Sequence, residues 1–250
     1  MAKFTTWDGL ELNYRVWEGE GVPVVLQHGI VADTNANWMS LGVVAALEQA
    51  GHHVISLDAR GHGRSDKPHD PARYSWQAMA DDMRALFDHL GLDRVAVVGY
   101  SMGGIISLLV ASADERVERL AIGGIGSGVV DCGGIDWRVI AAQDIVSAMS
   151  GDATAVTGLP SMFRLLADAL GADREAIAAV ATALNEAPIE SLIGITVPAL
   201  VLAGDADPLA AEPERLAAAL PHAECVVVKG DHLAAVADPA FSKALVDFLS

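Results

Sequence analysis

The residues best suited to chemistry in this chain are a serine, a histidine and two aspartates, each at the end of an apolar run. Ser101 directly follows "RVAVVGY", and His232 follows "ECVVVKGD". Asp205 and Asp207 come directly after "VPALVLAG". A serine hydroxyl becomes a nucleophile when a histidine takes its proton, and a carboxylate orients that histidine. These residue types therefore predict acyl-transfer chemistry, provided that the fold brings them together.

The residues around the serine predict how it is presented. Gly99 and Gly103 lie two residues before and two residues after Ser101, and a helical pattern follows. Glycines at these positions leave room for a sharp turn from a strand into a helix. Such a turn strains the serine backbone and exposes its oxygen. The amide groups and the positive dipole end of the following helix would stabilise an anion at the same place.

The elements that must position these residues alternate between strands and helices. Near-continuous apolar runs are typical of parallel strands that are covered on both faces. We predict strands at 22–29, 52–61, 94–101, 117–124, 197–205 and 224–231, and helices at 41–51, 75–91, 102–113, 212–222 and 238–249. The alternation indicates an α/β fold with a mostly parallel central sheet flanked by helices. Ligands bind at the carboxyl ends of such strands, where the four reactive residues stand.

Two segments depart from this alternation. The opening "FTTWDGLELNYRVWE" carries Asp8-Gly9 between alternating stretches, which predicts an antiparallel hairpin at the edge of the sheet. Between 125 and 195 a Gly-rich stretch leads to helical patterns around 136–149, 161–170 and 173–185. We therefore expect a small helical cap at 129–190, inserted into a core formed by 1–128 and 191–250.

Motifs spread over nearly the whole chain outside the cap resemble the α/β-hydrolase superfamily. They are "LQHGI" (26–30), "LDARGHGRSDKP" (57–68), "GYSMGG" (99–104), "GDADP" (204–208) and "GDHL" (230–233). The resemblance implies Ser101 as nucleophile, His232 as base and Asp207 as the acid, three residues after Gly204. Asp205 then becomes a turn-capping carboxylate, and Asp131, where some relatives carry the acid, is a third alternative.

The resemblance also implies an oxyanion hole, formed by the backbone N–H groups of Ile30 and Met102. His28 resembles the family's structural histidine beside that loop, and His62 belongs to a loop that supports the site. One departure is visible, because Asp231 precedes His232 where the family usually has glycine. Whether this carboxylate points inward or into solvent is open at this level.

Composition limits the partners and the compartment. The net charge of −17 argues against nucleic-acid binding, which requires clustered Lys and Arg. Residues 95–113 carry no charge, yet they read as a buried strand, a turn and a core helix, so no membrane association is expected. The N-terminus has no signal-peptide core, which predicts a cytoplasmic protein.

Cys132 and Cys225 are expected to be free thiols, and no metal or cofactor is expected.

The function expected from this combination is a serine hydrolase that cleaves a carboxylic ester, thioester or lactone through an acyl-enzyme. Carbon–carbon hydrolysis, perhydrolysis and hydroxynitrile lysis use a similar triad in related proteins and stay open. A ligand receptor that has kept the fold is the alternative from another class. The partner is a small-molecule substrate with a small or medium, mainly apolar acyl group; the oligomeric state is not predicted. Its pocket is expected to be lined by cap residues, namely Trp137, Met149, Met162 and Phe163.

Overall fold

A single mixed sheet forms the centre of the protein. The computed structural model describes residues 2–151, 157–184 and 188–250. Within these residues the sheet has eight strands in the order β1-β2-β4-β3-β5-β6-β7-β8. The strands are β1 (Ala2–Thr5), β2 (Glu11–Trp17), β3 (Glu20–Gln27), β4 (His52–Leu57), β5 (Val95–Tyr100), β6 (Val117–Gly123), β7 (Ala199–Gly204) and β8 (Ala223–Val228). All pairings from β4 to β8 are parallel, as predicted.

The N-terminal hairpin lies at one edge of the sheet, where the sequence predicts it. Strand β1 pairs antiparallel with β2, and β2 pairs antiparallel with β4. Gly9 has a φ of 84° in the connecting turn, a conformation that glycine adopts without strain. The hydroxyl of Thr6 donates to the Asp8 carboxylate at 2.6 Å and closes the turn.

Helices cover both faces of the sheet. The core helices are α1 (Val43–Gln49), α2 (Trp76–Leu90), α3 (Met102–Ala113), α8 (Pro213–Ala219) and α9 (Pro239–Leu249). Alternate residues of β5 point to opposite faces, so that Val97 joins the cluster with α2 and α3, and Val98 joins the cluster with α1 and α9. This two-sided burial explains why the central strands read as continuous apolar runs.

The uncharged stretch 95–113 is the strand β5, a turn and the helix α3, as predicted. Helix α3 has 12 residues and ends with Asp114 as its C-cap. In the part of the chain that the structure describes, no helix is long and apolar enough to cross a membrane.

Four helices lie between β6 and β7 among the residues that the structure describes, namely α4 (Ser127–Cys132), α5 (Ala142–Ser150), α6 (Leu159–Leu170) and α7 (Arg174–Ala183). Three of them fall within the predicted cap range. Helix α5 begins six residues later than expected, because Asp136 and Arg138 form a turn ahead of it. The predicted helix 173–185 ends on Asn185, which lies outside the described residues, as do positions 152–156 of the predicted cap.

Helix α4 was not predicted from its Gly-rich sequence. It ends at Gly133, which has a φ of 71° and a backbone N–H that donates to Val129 O at 3.0 Å. At its other end the Ser127 N–H donates to Ala211 O at 2.8 Å. Helix α4 is therefore stabilised by its ends and by packing next to α8 rather than by helix propensity.

Candidate active site

Ser101 occupies a strained turn between β5 and α3. Its φ of 55° and ψ of −117° lie outside the regions that L-residues prefer. The turn is tight because chain segments meet at both glycines. A Cβ on Gly99 would lie 2.1 Å from Gly103 O, and a Cβ on Gly103 would lie 2.0 Å from Gln27 O. The sequence predicted that the glycines permit a sharp turn. In the structure the space left by their missing side chains is filled by neighbouring backbone atoms.

Ser101, His232 and Asp207 form one hydrogen-bonded chain. His232 Nε2 lies 3.0 Å from Ser101 Oγ, and His232 Nδ1 lies 2.8 Å from Asp207 Oδ2. The other oxygen of Asp207 accepts the Leu209 N–H at 2.9 Å, so the carboxylate cannot rotate freely. A carboxylate acceptor at Nδ1 places the proton there and leaves the lone pair of Nε2 facing the serine. His232 and Asp207 are only 3% and 5% exposed.

Of the two aspartates after β7, Asp207 is the one that contacts His232. Asp205 instead accepts from Lys229 Nζ at 2.5 Å and from the Gly230 N–H at 3.1 Å. The hydrogen bond from Lys229 lowers the pKa of Asp205. Asp205 therefore tethers the turn after β7 to the turn after β8, which agrees with a turn-capping interpretation.

The two other carboxylates considered from the sequence also have structural partners. Asp231 Oδ1 accepts the N–H groups of Leu233 and Ala234 at 3.0 and 2.9 Å. It caps the turn that carries His232, which answers the question of where this carboxylate points. Asp131 forms an ion pair with Arg215 at 2.6 Å.

Tyr100 contacts both the backbone and the ring of His232, and the sequence did not predict this contact. Its hydroxyl donates to the backbone oxygen of His232 at 2.8 Å, and the two ring centroids are 5.4 Å apart. Burial raises the pKa of Tyr100 well above its ordinary value, so it stays a donor. A Cβ on Gly123 or Gly124 would lie within 2.8 Å of the Tyr100 ring. The two glycines at the end of β6 make space for this side chain.

The loop after β3 packs directly against Ser101. A Cβ on Gly29 would lie 3.3 Å from Ser101 Cβ. The Gly29 N–H donates to Asn37 Oδ1 at 2.9 Å, and its carbonyl oxygen lies 2.8 Å from His28 Nδ1. His28 Nε2 accepts the Ala59 N–H at 3.0 Å, so Nδ1 is the donor. His28 is thus a buried structural residue that fixes the loop beside the serine.

The backbone N–H groups predicted to bind an anion belong to residues that border Ser101. Met102 is the first residue of α3, so its N–H has no partner within the helix and lies at the positive dipole end. Ile30 follows the fixed Gly29 and lines the same cavity as Ser101 and Met102. The oxyanion hole formed by these two N–H groups stays a prediction.

His62 is buried beside His28 as a neutral ring. Its Nδ1 lies 2.9 Å from the Arg60 carbonyl oxygen, and the two histidine centroids are 5.1 Å apart. Burial lowers the pKa of His62 to about 3. Among the described residues, no group of three or more His, Cys, Asp or Glu side chains is arranged to hold a metal ion. Cys132 and Cys225 are free thiols, as predicted.

The fold as a whole is similar to solved enzymes. A hydrolase from Pseudomonas aeruginosa PA01 superimposes with a TM-score of 0.78 at 26% identity, covering 100% of this chain and 98% of that one. The enol-lactonase from Burkholderia xenovorans LB400 gives 0.79 at 28% identity, covering 99% of both chains. Residues 22–125 match the family model for the alpha/beta hydrolase fold. The fold of the chain is that of the α/β-hydrolase superfamily.

Curated relatives match this chain over a shorter region. The sn-1-specific diacylglycerol lipase ABHD11 of Mus musculus is 36% identical over 116 residues, which are 45% of this chain and 36% of the lipase. The chain spans less than half the length of the first curated relatives that it matches.

Two cavities of the protein meet at Ser101. The first, here called the cap pocket, is bordered in equal parts by residues of the core and residues of the predicted cap range. The cap pocket is lined by Ile30, Ser101, Met102, Ile105, Gly124, Ile125, Gly134, Ile135, Asp136, Ile140, Ile145, Phe163, Leu184 and Leu209. The second, here called the histidine pocket, is lined by Gly29, Ile30, Ala32, Ala36, Asn37, Leu41, Tyr100, Ser101, Phe163, Leu166, His232, Leu233 and Val236.

Of the four pocket residues expected from the sequence, Phe163 is the one found at the site. It lines both pockets, and its ring meets the His232 ring edge-on with centroids 6.0 Å apart. The expectation is corrected for Trp137, which is 68% exposed on the turn before α5. It is also corrected for Met149 and Met162, which line neither pocket. A helical pattern identifies apolar residues but does not say which side of a cap helix faces the serine.

Proposed function

We propose that this protein is a serine hydrolase that cleaves a carboxylic ester, thioester or lactone. The observation that carries the proposal is the hydrogen-bonded chain from Ser101 through His232 to Asp207, with the N–H groups of Ile30 and Met102 beside it. The names of two similar proteins, a diacylglycerol lipase and an enol-lactonase, support ester and lactone bonds as the substrate class.

In the proposed mechanism Ser101 Oγ attacks the carbonyl carbon while His232 Nε2 takes its proton. Asp207 keeps the imidazole in the productive tautomer and stabilises the imidazolium that forms. The oxyanion of the tetrahedral intermediate accepts hydrogen bonds from the N–H groups of Ile30 and Met102. His232 then gives the proton to the leaving group, and a water molecule, activated in the same way, releases the acyl group from Ser101.

The two pockets support an assignment of the two halves of the substrate. The leaving group must reach His232, because this residue protonates it, and His232 lines the histidine pocket. The acyl group then occupies the cap pocket, whose lining is mostly isoleucine and leucine. A cavity with this lining suits an apolar acyl chain.

Turnover of p-nitrophenyl acetate tests the proposal. The wild-type protein is expected to release many equivalents of p-nitrophenol, and Ser101→Ala is expected to lower kcat by roughly 10⁶-fold, as when other serine nucleophiles are removed. Release of at most one equivalent by the wild type would favour a receptor. A parallel screen of lactones, ring-cleavage products and peroxide would reveal the alternative reactions of the superfamily.

A further inference from the structure

The side chain of Asn37 presents a buried donor that has no partner. Asn37 is 6% exposed, and its Oδ1 accepts the Gly29 N–H at 2.9 Å. This bond identifies which end of the amide is the oxygen, so Nδ2 is the opposite end. Among the described residues, no acceptor lies within hydrogen-bond distance of Asn37 Nδ2. A buried donor left unpaired is costly, so an amide in this position is expected to meet an acceptor in the working enzyme.

The position of Asn37 indicates where that acceptor comes from. Asn37 lines the histidine pocket together with Ser101 and His232, and it is not part of the cap pocket. Among the described residues, the other buried side-chain nitrogens without partners line neither pocket; they are Arg15 Nε, Gln27 Nε2, Trp38 Nε1, His52 Nε2 and His62 Nε2. The unpaired donor of Asn37 is thus distinguished because it belongs to a residue that lines the space beside the nucleophile.

Resting on the proposed function, we infer that Asn37 Nδ2 donates a hydrogen bond to a neutral oxygen on the leaving group of the substrate. The other walls of the histidine pocket are mainly apolar, including Leu41, Leu233 and Val236. One amide donor among apolar side chains selects an ether, hydroxyl or carbonyl oxygen on an otherwise apolar group. The substrate class is therefore an ester or thioester whose leaving group carries such an oxygen.

Pairs of esters that differ by one oxygen test this inference. 2-Methoxyethyl butyrate is compared with n-butyl butyrate, and 3-methoxypropyl butyrate with n-pentyl butyrate. Within each pair an ether oxygen replaces a methylene, while the acyl group and the chain length stay the same. For each enzyme, the ratio of kcat/KM between the two members is measured. Comparing this ratio between wild type and a variant cancels the different intrinsic reactivity of the esters, as in a double-mutant cycle.

The expected result is a loss of oxygen preference when the donor is removed. In Asn37→Leu the ratio should fall by about 3- to 10-fold in at least one pair, the range for one net hydrogen bond. Asn37→Asp keeps an acceptor for the Gly29 N–H but puts a carboxylate oxygen in place of the Nδ2 donor. The kcat/KM ratio of this variant should therefore fall at least as far as that of Asn37→Leu. Asn35→Leu is the matched control, because Asn35 is exposed two residues away, and its ratio should equal that of wild type.

An unchanged ratio in both ester pairs for Asn37→Leu would overturn the inference. A second result would also overturn it, namely a ratio that falls in Asn37→Leu but stays at the wild-type value in Asn37→Asp. The effect would then come from losing the acceptor for the Gly29 N–H, which shifts the loop, and not from losing the donor.

Binding to Ser101→Ala separates this inference from the proposed function. Dissociation constants of the same esters are compared between Ser101→Ala and the double variant Ser101→Ala/Asn37→Leu, where no turnover is needed. If the wild type hydrolyses no ester, the proposed hydrolysis fails. An Asn37-dependent binding ratio still supports the donor role in that case, and an Asn37-independent ratio overturns it.

Discussion

At the scale of single residues, the candidate site depends on two hydrogen bonds to one imidazole. His232 can accept a proton from Ser101 only while Nδ1 carries the other proton, and Asp207 Oδ2 at 2.8 Å holds it there. The Leu209 N–H and the surrounding burial keep that carboxylate in place. The Tyr100 hydroxyl fixes the backbone of the histidine from the opposite side. Each of these contacts restrains the direction of the imidazole.

Asparagine substitutions at the two neighbouring aspartates test this assignment. Asp207→Asn should lower kcat by about 10⁴-fold, because the amide favours the wrong tautomer while preserving the shape. Asp205→Asn is the matched control; it loses an exposed ion pair with Lys229 and should retain kcat within about 2-fold. Steady-state hydrolysis of p-nitrophenyl acetate measures both. A larger loss at position 205 would reverse the assignment.

The sequence predicted the reactive residues because each one stands at the carboxyl end of a recognisable strand. Ser101 and His232 could be predicted as reactive from their positions at strand ends. The choice of Asp207 over Asp205 came from the spacing of a family motif. The contacts of Tyr100 and Asn37 could not be predicted, since the bond from Tyr100 joins residues 132 positions apart and that of Asn37 depends on loop geometry. An Asn or Tyr beside a nucleophile has no periodicity that reveals its partner.

At the scale of elements, the site depends on how closely α3 approaches β3 and β5. The first turn of α3 contacts the end of β3 through Gly103, and β5 contacts the same turn through Gly99. This packing brings Ser101 against Gly29 and holds the turn in its strained conformation. The strain of about 1–3 kcal/mol at Ser101 is offset by such contacts.

Replacing one of these glycines tests the packing. In Gly103→Ala the new methyl group would lie 2.0 Å from Gln27 O and 2.7 Å from His28 O, which are both backbone atoms. We expect the free energy of unfolding to fall by about 3 kcal/mol or more, with loss of turnover, because the loop beside Ser101 must move. Gly194→Ala is the control, since nothing lies within 4 Å of its added Cβ. Urea denaturation measures both; equal stability would contradict the packing argument.

Strands and core helices were predictable because their burial is periodic or continuous, whereas the cap was predicted only coarsely. Helix α4 has a Gly-rich sequence, and its ends and its packing against α8 stabilise it. The turn at Asp136 and Arg138 delays the start of α5. The direction of Trp137 follows from this turn, so a sequence pattern could not place it.

At the scale of the whole molecule, a layer of buried polar groups lies beneath the site. Asp58 accepts the Asn13 amide and the N–H groups of Thr34 and Arg64, which ties strand β2 to the segments around Thr34 and Arg64. The bonds from Thr34 and Arg64 keep the pKa of Asp58 below its ordinary value against the opposing effect of burial. His62 is a buried group in this layer whose pKa is lowered by burial, so it is neutral in the folded protein near pH 7.

The neutrality of His62 makes stability depend on pH. Its pKa is about 3 in the folded protein and about 6.5 when unfolded, so the unfolded state binds more protons between these values. Stability is therefore fully present above pH 6.5 and is lost as the pH falls toward 3, by at most about 1.4 kcal/mol per pH unit from this group. In His62→Gln the free energy of unfolding should therefore decline less steeply between pH 6.5 and 4.5, by up to about 1.4 kcal/mol per pH unit.

Urea denaturation across this pH range measures the slope. His222→Gln removes an exposed histidine and should keep the wild-type slope. A His62→Gln slope equal to that of wild type would show that another group causes the decline.

The central claim is that Ser101 carries the acyl group during turnover, and its most direct test is a mass measurement. The protein is mixed with p-nitrophenyl acetate, quenched in acid during turnover, digested and analysed by peptide mass spectrometry. We predict one acetyl group per chain at most, located on Ser101 and absent from Ser101→Ala. Rapid multiple turnover with acetyl on another residue, or undiminished turnover by Ser101→Ala, would contradict the account.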